Sequence, residues 1–270
     1  MEGTDEPISH DVARDLRRLC EAAAARAVAP YSGRREAAVL LLADGSWVPG
    51  VRFESASFSL TMPAVVNAFT TAVAAGRRDV VAAAFSGPAL EEEALYLADS
   101  PAGRFGRAAA DLFVRAGEAA LPPVGERLAP FLPGPPPSSP AQGIALAREV
   151  ARRAHVPESG FPVGCVLVGE DGRMIPGVNV EHRDWARILC AERNALGTAA
   201  SYGVDPLSRL YLSCPSDPAG TPCGACRQHL AEHAREIRLW MDRGDAPPEE
   251  TNPEQLLPGS FAGSTLSRSA

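Results

Sequence analysis

The 270-residue sequence predicts an α/β protein built from two tandem domains. The first ground is an internal repeat at a fixed offset of 127. Tyr31-Ser32-Gly33 falls over Glu158-Ser159-Gly160, Asp44-Gly45 over Asp171-Gly172, and Pro49-Gly50 over Pro176-Gly177. Glu54 falls over Glu181, Asn67-Ala68 over Asn194-Ala195, and Gly76 over Gly203. The second is a divider: residues 121–140 hold eight prolines in twenty positions. Such a tract excludes a regular helix or a central strand and leaves an extended linker laid over the surface. The third is a shared order on both sides of that tract: helix, strand, Asp-Gly turn, strand, loop, helix. The predicted domains are 1–120 and 141–270, with 121–140 between them.

Each element has its own local reason. In "ARDLRRLCEAAAARAV" the apolar spacing of Val12, Leu16, Leu19 and Ala23 predicts an amphipathic helix that packs Cys20 into the core. "FPVGCVLVG" predicts a buried strand with Cys165 inside it. "LCAERNALGTAASYG" has the Ala, Leu, Glu and Arg content of a helix that stops at Gly203, and "CGACRQHLAEHA" predicts another entered through Pro222. Cys190 then stands at one helix N-terminus, and Cys223 and Cys226 at the other.

Composition excludes several classes. No run approaches the roughly 18 apolar residues of a membrane span, and the acidic N-terminus lacks an apolar core, which predicts a cytoplasmic protein. A net charge of -7 argues against a surface that tracks phosphates, so nucleic acid is not an expected partner. All 26 basic residues are Arg, so Arg abundance is a poor marker of function in this chain. Six cysteines without a signal peptide fit thiols used as metal ligands or core residues rather than disulfides.

Thiolates are favoured at helix N-termini by unpaired backbone N–H groups and the positive dipole end, and cysteines spaced i, i+3 in a first turn reach one ion. Three converging thiolates suggest zinc. Structural zinc sites close with four protein ligands, whereas catalytic ones keep a position for water. Cys214 is the main candidate for a fourth ligand, with His182 and His229 behind it; a closed site of that kind would make a non-catalytic, zinc-stabilised interaction protein. Glu192 argues for catalysis, because a carboxylate two residues past the first ligand is placed to carry protons without binding the metal. Three thiolates on Zn²⁺ leave a formal charge of about -1, which Arg193 and the two helix N-termini would offset. The first copy has Pro63, Val65 and Val66 over Cys190, Glu192 and Arg193, and no cysteine lies between Cys20 and Cys165, so one zinc per chain is expected, in the second domain.

Cys190-Ala191-Glu192-Arg193 with Pro222-Cys223-Gly224-Ala225-Cys226-Arg227-Gln228 resembles the cytidine deaminase family of zinc nucleoside deaminases, which carry a C/H-x-E and P-C-x-x-C signature. The resemblance runs over residues 145–240, including "SGFPVGCVL" and "GVNVE", and more weakly over 26–76 without the metal residues. It implies two cytidine-deaminase-like three-layer α/β/α domains, the first degenerate and the second catalytic. It implies zinc on Cys190, Cys223 and Cys226, and Glu192 as the general acid/base for a zinc-bound hydroxide. Phe161 would pack against the pyrimidine, Asn179 and Glu181 would bond the ribose hydroxyls, and the Ala191 N–H would meet the ring carbonyl.

The implied reaction is hydrolytic deamination of cytidine or deoxycytidine to uridine or deoxyuridine, in pyrimidine salvage. A modified or antibiotic cytosine nucleoside of the blasticidin S type is the alternative substrate, and a nucleic-acid-editing deaminase a lesser one. Single-domain relatives assemble as tetramers, so a fused pair implies a homodimer that rebuilds four domains, the metal-free half serving as a wall of the site. One departure stands out. After "NVE" the family commonly reads Asn-Ala-Ser-Tyr, whereas this chain reads His182-Arg183-Asp184-Trp185. Arg183 would pair with Asp184, touch the other domain, or meet an anionic substituent on the substrate.

Overall fold

The computed structural model describes residues 9–261, 263 and 266. The outermost residues of the two predicted domains, 1–8 with part of the acidic N-terminal stretch and 267–270, lie outside the described residues. The first half runs α1 (His10–Ala24), β1 (Ala37–Leu42), β2 (Trp47–Val51), α2 (Ala64–Ala74), β3 (Val80–Phe85), α3 (Glu91–Leu97), β4 (Phe105–Ala109) and β5 (Leu112–Arg115). The second runs α4 (Pro140–Ala151), β6 (Gly164–Gly169), β7 (Met174–Val178), α5 (Ala191–Tyr202), β8 (Leu207–Ser213), α6 (Gly224–His233), β9 (Arg238–Arg243), β10 (Ala246–Thr251) and α7 (Pro253–Leu256). Each half forms a five-stranded sheet, ordered β2-β1-β3-β5-β4 and β10-β9-β8-β6-β7.

The period of two along a strand sorts the core into layers. On β1, Val39 and Leu41 meet Leu16 and Cys20 of α1, while Ala38, Leu40 and Leu42 face α2. On β6, Val166 and Val168 meet Ile144, Ala147 and Val150 of α4, while Cys165 and Leu167 face α5. Cys20 and Cys165 are thus core residues. Helices α2 and α5 pack on each other and on both sheets, and one continuous apolar cluster spans the two halves. Burial on all sides explains α2, whose eleven residues are all buried and carry no charge.

The offset of 127 recurs in the geometry. Ala38 pairs with Gly50 as Cys165 pairs with Gly177, and the rest of both hairpins follows the same register. The Glu54 carboxylate accepts from the Tyr31 and Ser32 N–H groups and the Ser32 hydroxyl, as the Glu181 carboxylate does from Glu158, Ser159 and the Ser159 hydroxyl. Where α2 crosses α5, Thr71 and Thr198, themselves 127 apart, share a 2.7 Å hydrogen bond, which places them on a pseudo-twofold axis.

The halves part after their third strand. In the second, α6 carries the chain from β8 to a parallel neighbour, β9. In the first, α3 and β4 precede β5, which pairs antiparallel with β3. The proline tract is extended and pinned to both sheets: Gly125 N–H donates to Gly45 O, Leu128 N–H to Trp47 O, and Leu132 N–H to Met174 O.

Candidate metal centre and its cavity

Cys190 is the N-cap of α5 and Cys223 the N-cap of α6, so each sulfur sits over the first turn of a helix; Cys226 lies one turn further along α6. Sγ of Cys190 and Cys223 are 3.7 Å apart, those of Cys223 and Cys226 3.5 Å, and all three lie within 4.8 Å of one another. Tetrahedral zinc with bonds of about 2.3 Å needs sulfurs about 3.8 Å apart, so the donor set fits that ion. Cys223 ionises first of the three: the Cys190 and Cys226 thiols and the backbone N–H groups of Cys226 and Ala225 stabilise its anion and hold its pKa far below the usual thiol range. The other two thiols are pushed up, Cys190 by Cys223 and by burial against an opposing pull from Cys226, and Cys226 by Cys190, Cys223 and burial.

Glu192, in the first turn of α5, is 3% exposed. Burial pushes its carboxyl up to about 7, and the charge on Cys223 acts in the same direction. It is therefore a group that can both hold and release a proton near neutrality. A cavity of about 590 Å³ opens over the cluster, lined by Cys190, Glu192, Cys223 and Cys226 on one side and by Ser159, Phe161, Asn179 and Glu181 on the other. Its remaining walls are Val163, Ile188, Leu212, Cys214 and the 217–221 turn.

The sequence-predicted residues are thus largely gathered at one place, with qualifications. Asn179 lies just past β7, its Oδ1 accepting from Val163 N–H and its Nδ2 donating to Phe161 O. Glu181 holds the 158–159 turn as described above, a task its counterpart Glu54 performs in a half without metal residues. Ala191 is buried as the first residue of α5. Arg193 is buried, and its guanidinium donates to Leu60 O of the first half at 2.7 Å; its charge pulls Glu192 downward, against the larger effect of burial.

The three fallback ligands stay outside the cluster. Cys214 lines the cavity but does not join the three sulfurs. His182 stacks on Tyr96 of the first half, and His229 stacks on Phe53. Arg183 makes an ion pair with Asp99 of the first half at 3.6 Å, whereas Asp184 pairs with Arg187. Among the described residues all those that line the cavity belong to the second half, so within one chain the first half reaches the site from behind, through the 182–187 segment and through Leu60 O at Arg193. Ser159, Ile188, Leu212 and Asp217 were not singled out from sequence; the offset that pairs Ser159 with Ser32 was the available signal for the first, and the other three reach the cavity only by tertiary folding.

An α/β/α layer here presents three thiols and a buried carboxylate at two helix N-termini, a donor set that fits a zinc ion. The family described as cytidine and deoxycytidylate deaminase zinc-binding region matches residues 138–239. A cytidine deaminase of Sporosarcina psychrophila is 38% identical over 130 residues, 47% of this chain and 94% of the relative. That of Halalkalibacterium halodurans is 33% identical over 124 residues, 46% of this chain and 94% of the relative. A crystal structure of cytidine deaminase from Burkholderia pseudomallei is 31% identical and covers 45% of this chain and 98% of that one, with a TM-score of 0.43. This chain belongs to the cytidine deaminase family.

Proposed function

We propose that residues 141–270 form the catalytic domain of a cytidine deaminase, with one zinc per chain held by Cys190, Cys223 and Cys226, and that residues 1–120 are its metal-free duplicate. The reaction is hydrolytic: cytidine or deoxycytidine and water give uridine or deoxyuridine and ammonia. The observation that carries this reading is the buried, proton-holding Glu192 beside three converging sulfurs at the base of a nucleoside-sized cavity.

Zinc, when bound, supplies a Lewis acid that lowers the pKa of a water toward ~7. Glu192 would take the proton from the water that attacks C4 and place it on N3, then take the proton of the new C4 hydroxyl and deliver it to the amino group, which leaves as ammonia while C4 becomes a carbonyl. Phe161 packs on the pyrimidine face. The Ala191 N–H, at the positive end of α5, donates to the ring carbonyl oxygen. Asn179 and Glu181 orient the sugar; a carboxylate has about four lone-pair sites, so Glu181 can hold its turn and still accept from a hydroxyl. Arg193 and the two helix N-termini offset the negative charge of the sulfurs.

The cavity also favours a nucleoside over a nucleotide. Among the described residues none of its lining side chains is Arg or His, while Glu181, Glu192 and Asp217 are acidic, so a phosphate meets no cationic side chain and three carboxyl groups. With Arg183 turned to Asp99, the anionic-substituent role has no support.

Glu192→Gln should keep its zinc and its fold while kcat for cytidine falls by roughly 10³ or more, because proton transfer is lost at more than one step. Ammonia release and elemental analysis on the same sample check this, and near-normal turnover would assign the proton to another group. The same elemental analysis should give one zinc per chain, none in Cys223→Ala. Two per chain, or deoxycytidylate turned over as readily as deoxycytidine, would overturn the reading.

A further inference from the structure

The loop that enters the cavity between Glu181 and Ile188 is held by the half that has no metal residues. Its base is pinned, since Val180 and Leu189 exchange both backbone hydrogen bonds. Above that base, residues 181–188 form an arch tied at its first residue, where Glu181 N–H donates to His155 O, and its two ends, Glu181 and Ile188, line the cavity. Local order within the arch comes from Asp184, which caps its 3-10 turn through Ala186 N–H and bonds Arg187.

Beyond Glu181, the arch's contacts with the first half fall on α3 and the residue two beyond its end. The His182 ring stacks on Tyr96, with centroids 5.1 Å apart and planes 19° from parallel. Arg187 Nη1 donates to Glu92 O, and Arg183 pairs with Asp99. The last of these is a surface ion pair worth little, and the second engages a backbone oxygen that any residue would offer. Tyr96 differs, being fully buried, with a hydroxyl that finds no hydrogen-bond partner. A tyrosine whose hydroxyl is unused contributes only its ring, and that ring meets Phe69 edge-on within its own half and stacks on His182 of the other.

The pseudo-twofold axis shows the same device on the other side. The matching arch, residues 54–61, is pinned by Phe53 and Met62. It is held by α6, the helix that follows the third strand of the opposite half, through Glu232 to the Ser55 hydroxyl and Ala56 N–H and through His233 to Glu54 O. Ser55 and His182 are 127 apart. In each half, therefore, the helix after the third strand holds the opposite arch at the same residue.

We propose that Tyr96 is a positioning residue for the deaminase site, acting through the His182 ring to keep the 181–188 arch in its substrate-binding place. This rests on the cavity over Cys190, Cys223 and Cys226 being the deaminase site. Tyr96 touches no cavity atom, so its effect is on the fraction of chains whose arch is in place, which divides directly into apparent affinity.

Tyr96→Leu, which keeps apolar volume without a ring to stack, should raise KM for cytidine about tenfold, as when the competent fraction falls to about a tenth, with kcat within twofold and zinc unchanged. Tyr96→Phe keeps the ring and should restore the wild-type KM. His182→Ala should raise KM similarly, and the double variant should add little to either single change. Amide hydrogen exchange followed by mass spectrometry gives a readout apart from activity: residues 182–188 should exchange faster in Tyr96→Leu and His182→Ala but not in Tyr96→Phe. Unchanged exchange and KM in Tyr96→Leu, a loss in Tyr96→Phe equal to that in Tyr96→Leu, or additive single changes would overturn the proposal. If Tyr96→Leu does not fold, His182→Ala alone decides by the same exchange and KM criteria. A wild-type protein inert toward cytidine but showing the expected exchange pattern would instead fail the deaminase assignment and leave the arch coupling standing.

Discussion

Glu192 and His229 are both buried ionisable groups near the three-sulfur cluster, and burial drives each toward its neutral form with opposite consequences. For the carboxyl the shift toward 7 creates a usable proton carrier. For His229 burial, helped by the charges of Arg193 and His233, pushes the pKa down to about 3. An unfolded histidine titrates near 6.5, so as pH falls below that value the unfolded chain binds a proton that the folded one refuses. Stability is therefore lost from pH 6.5 downward until the folded pKa is reached, and between pH 6.5 and 5 this one residue removes about 1.5 kcal/mol. Urea unfolding across that interval should show wild type losing about that much more than His229→Gln; equal slopes would place the acid sensitivity elsewhere. At this scale the sequence was most legible where chemistry demands fixed spacing, at Cys190, Glu192, Cys223 and Cys226. It was least legible where a side chain has a second task. Glu181 was picked out as a sugar contact, yet its visible bonds brace a turn, and only the matching bonds of Glu54 reveal that this bracing does not depend on a metal.

At the scale of elements, the metal helix is seated by a close approach between strand and helix. A Cβ on Gly177 would lie 2.2 Å from Ala191 O and 2.7 Å from Cys165 Sγ, and one on Gly50 would lie 2.2 Å from Ala64 O. Glycine lets α5 descend onto β7 and so sets the height of Cys190 and Glu192 over the cavity. Gly177→Ala must lift the α5 N-terminus, and overpacking of this kind costs typically 1–3 kcal/mol. The expected outcome is a lower melting temperature with reduced activity even below it, measured by thermal unfolding and cytidine turnover; a variant with wild-type activity and stability would show that the helix has slack. The Pro-Gly pairs were visible in the repeat, as were the hairpins and the ends of α5 and α6, because turns, caps and alternation are local. The change of plan after β3 was not visible. The tight correspondence at one offset ends near Gly76, and whether the next strand joins parallel or antiparallel depends on partners remote in sequence.

The whole molecule is governed by its central helical layer. Since α2 and α5 are buried between the two sheets, neither half keeps a complete core when separated, a property that repeat counting alone did not convey. No helix among the described residues is long and apolar enough to cross a membrane. Two exposed aromatics are related by the repeat: Phe58 is 67% exposed and Trp185 79%, they are 127 apart, and each opens the 3-10 turn of its own arch. A pair of exposed aromatics placed by a pseudo-twofold axis suits a symmetric partner that presents the same pair in return. A homodimer that buries them would bring four α/β/α units together with two working sites. Light scattering should then give twice the chain mass of 28.3 kDa for the wild type. Phe58→Ser with Trp185→Ser should give a monomer that keeps its zinc but binds cytidine more weakly, because the arch beside the cavity loses its outer support. A wild-type monomer with full activity would sink the dimer, and an intact dimer in the double variant would move the interface to another face.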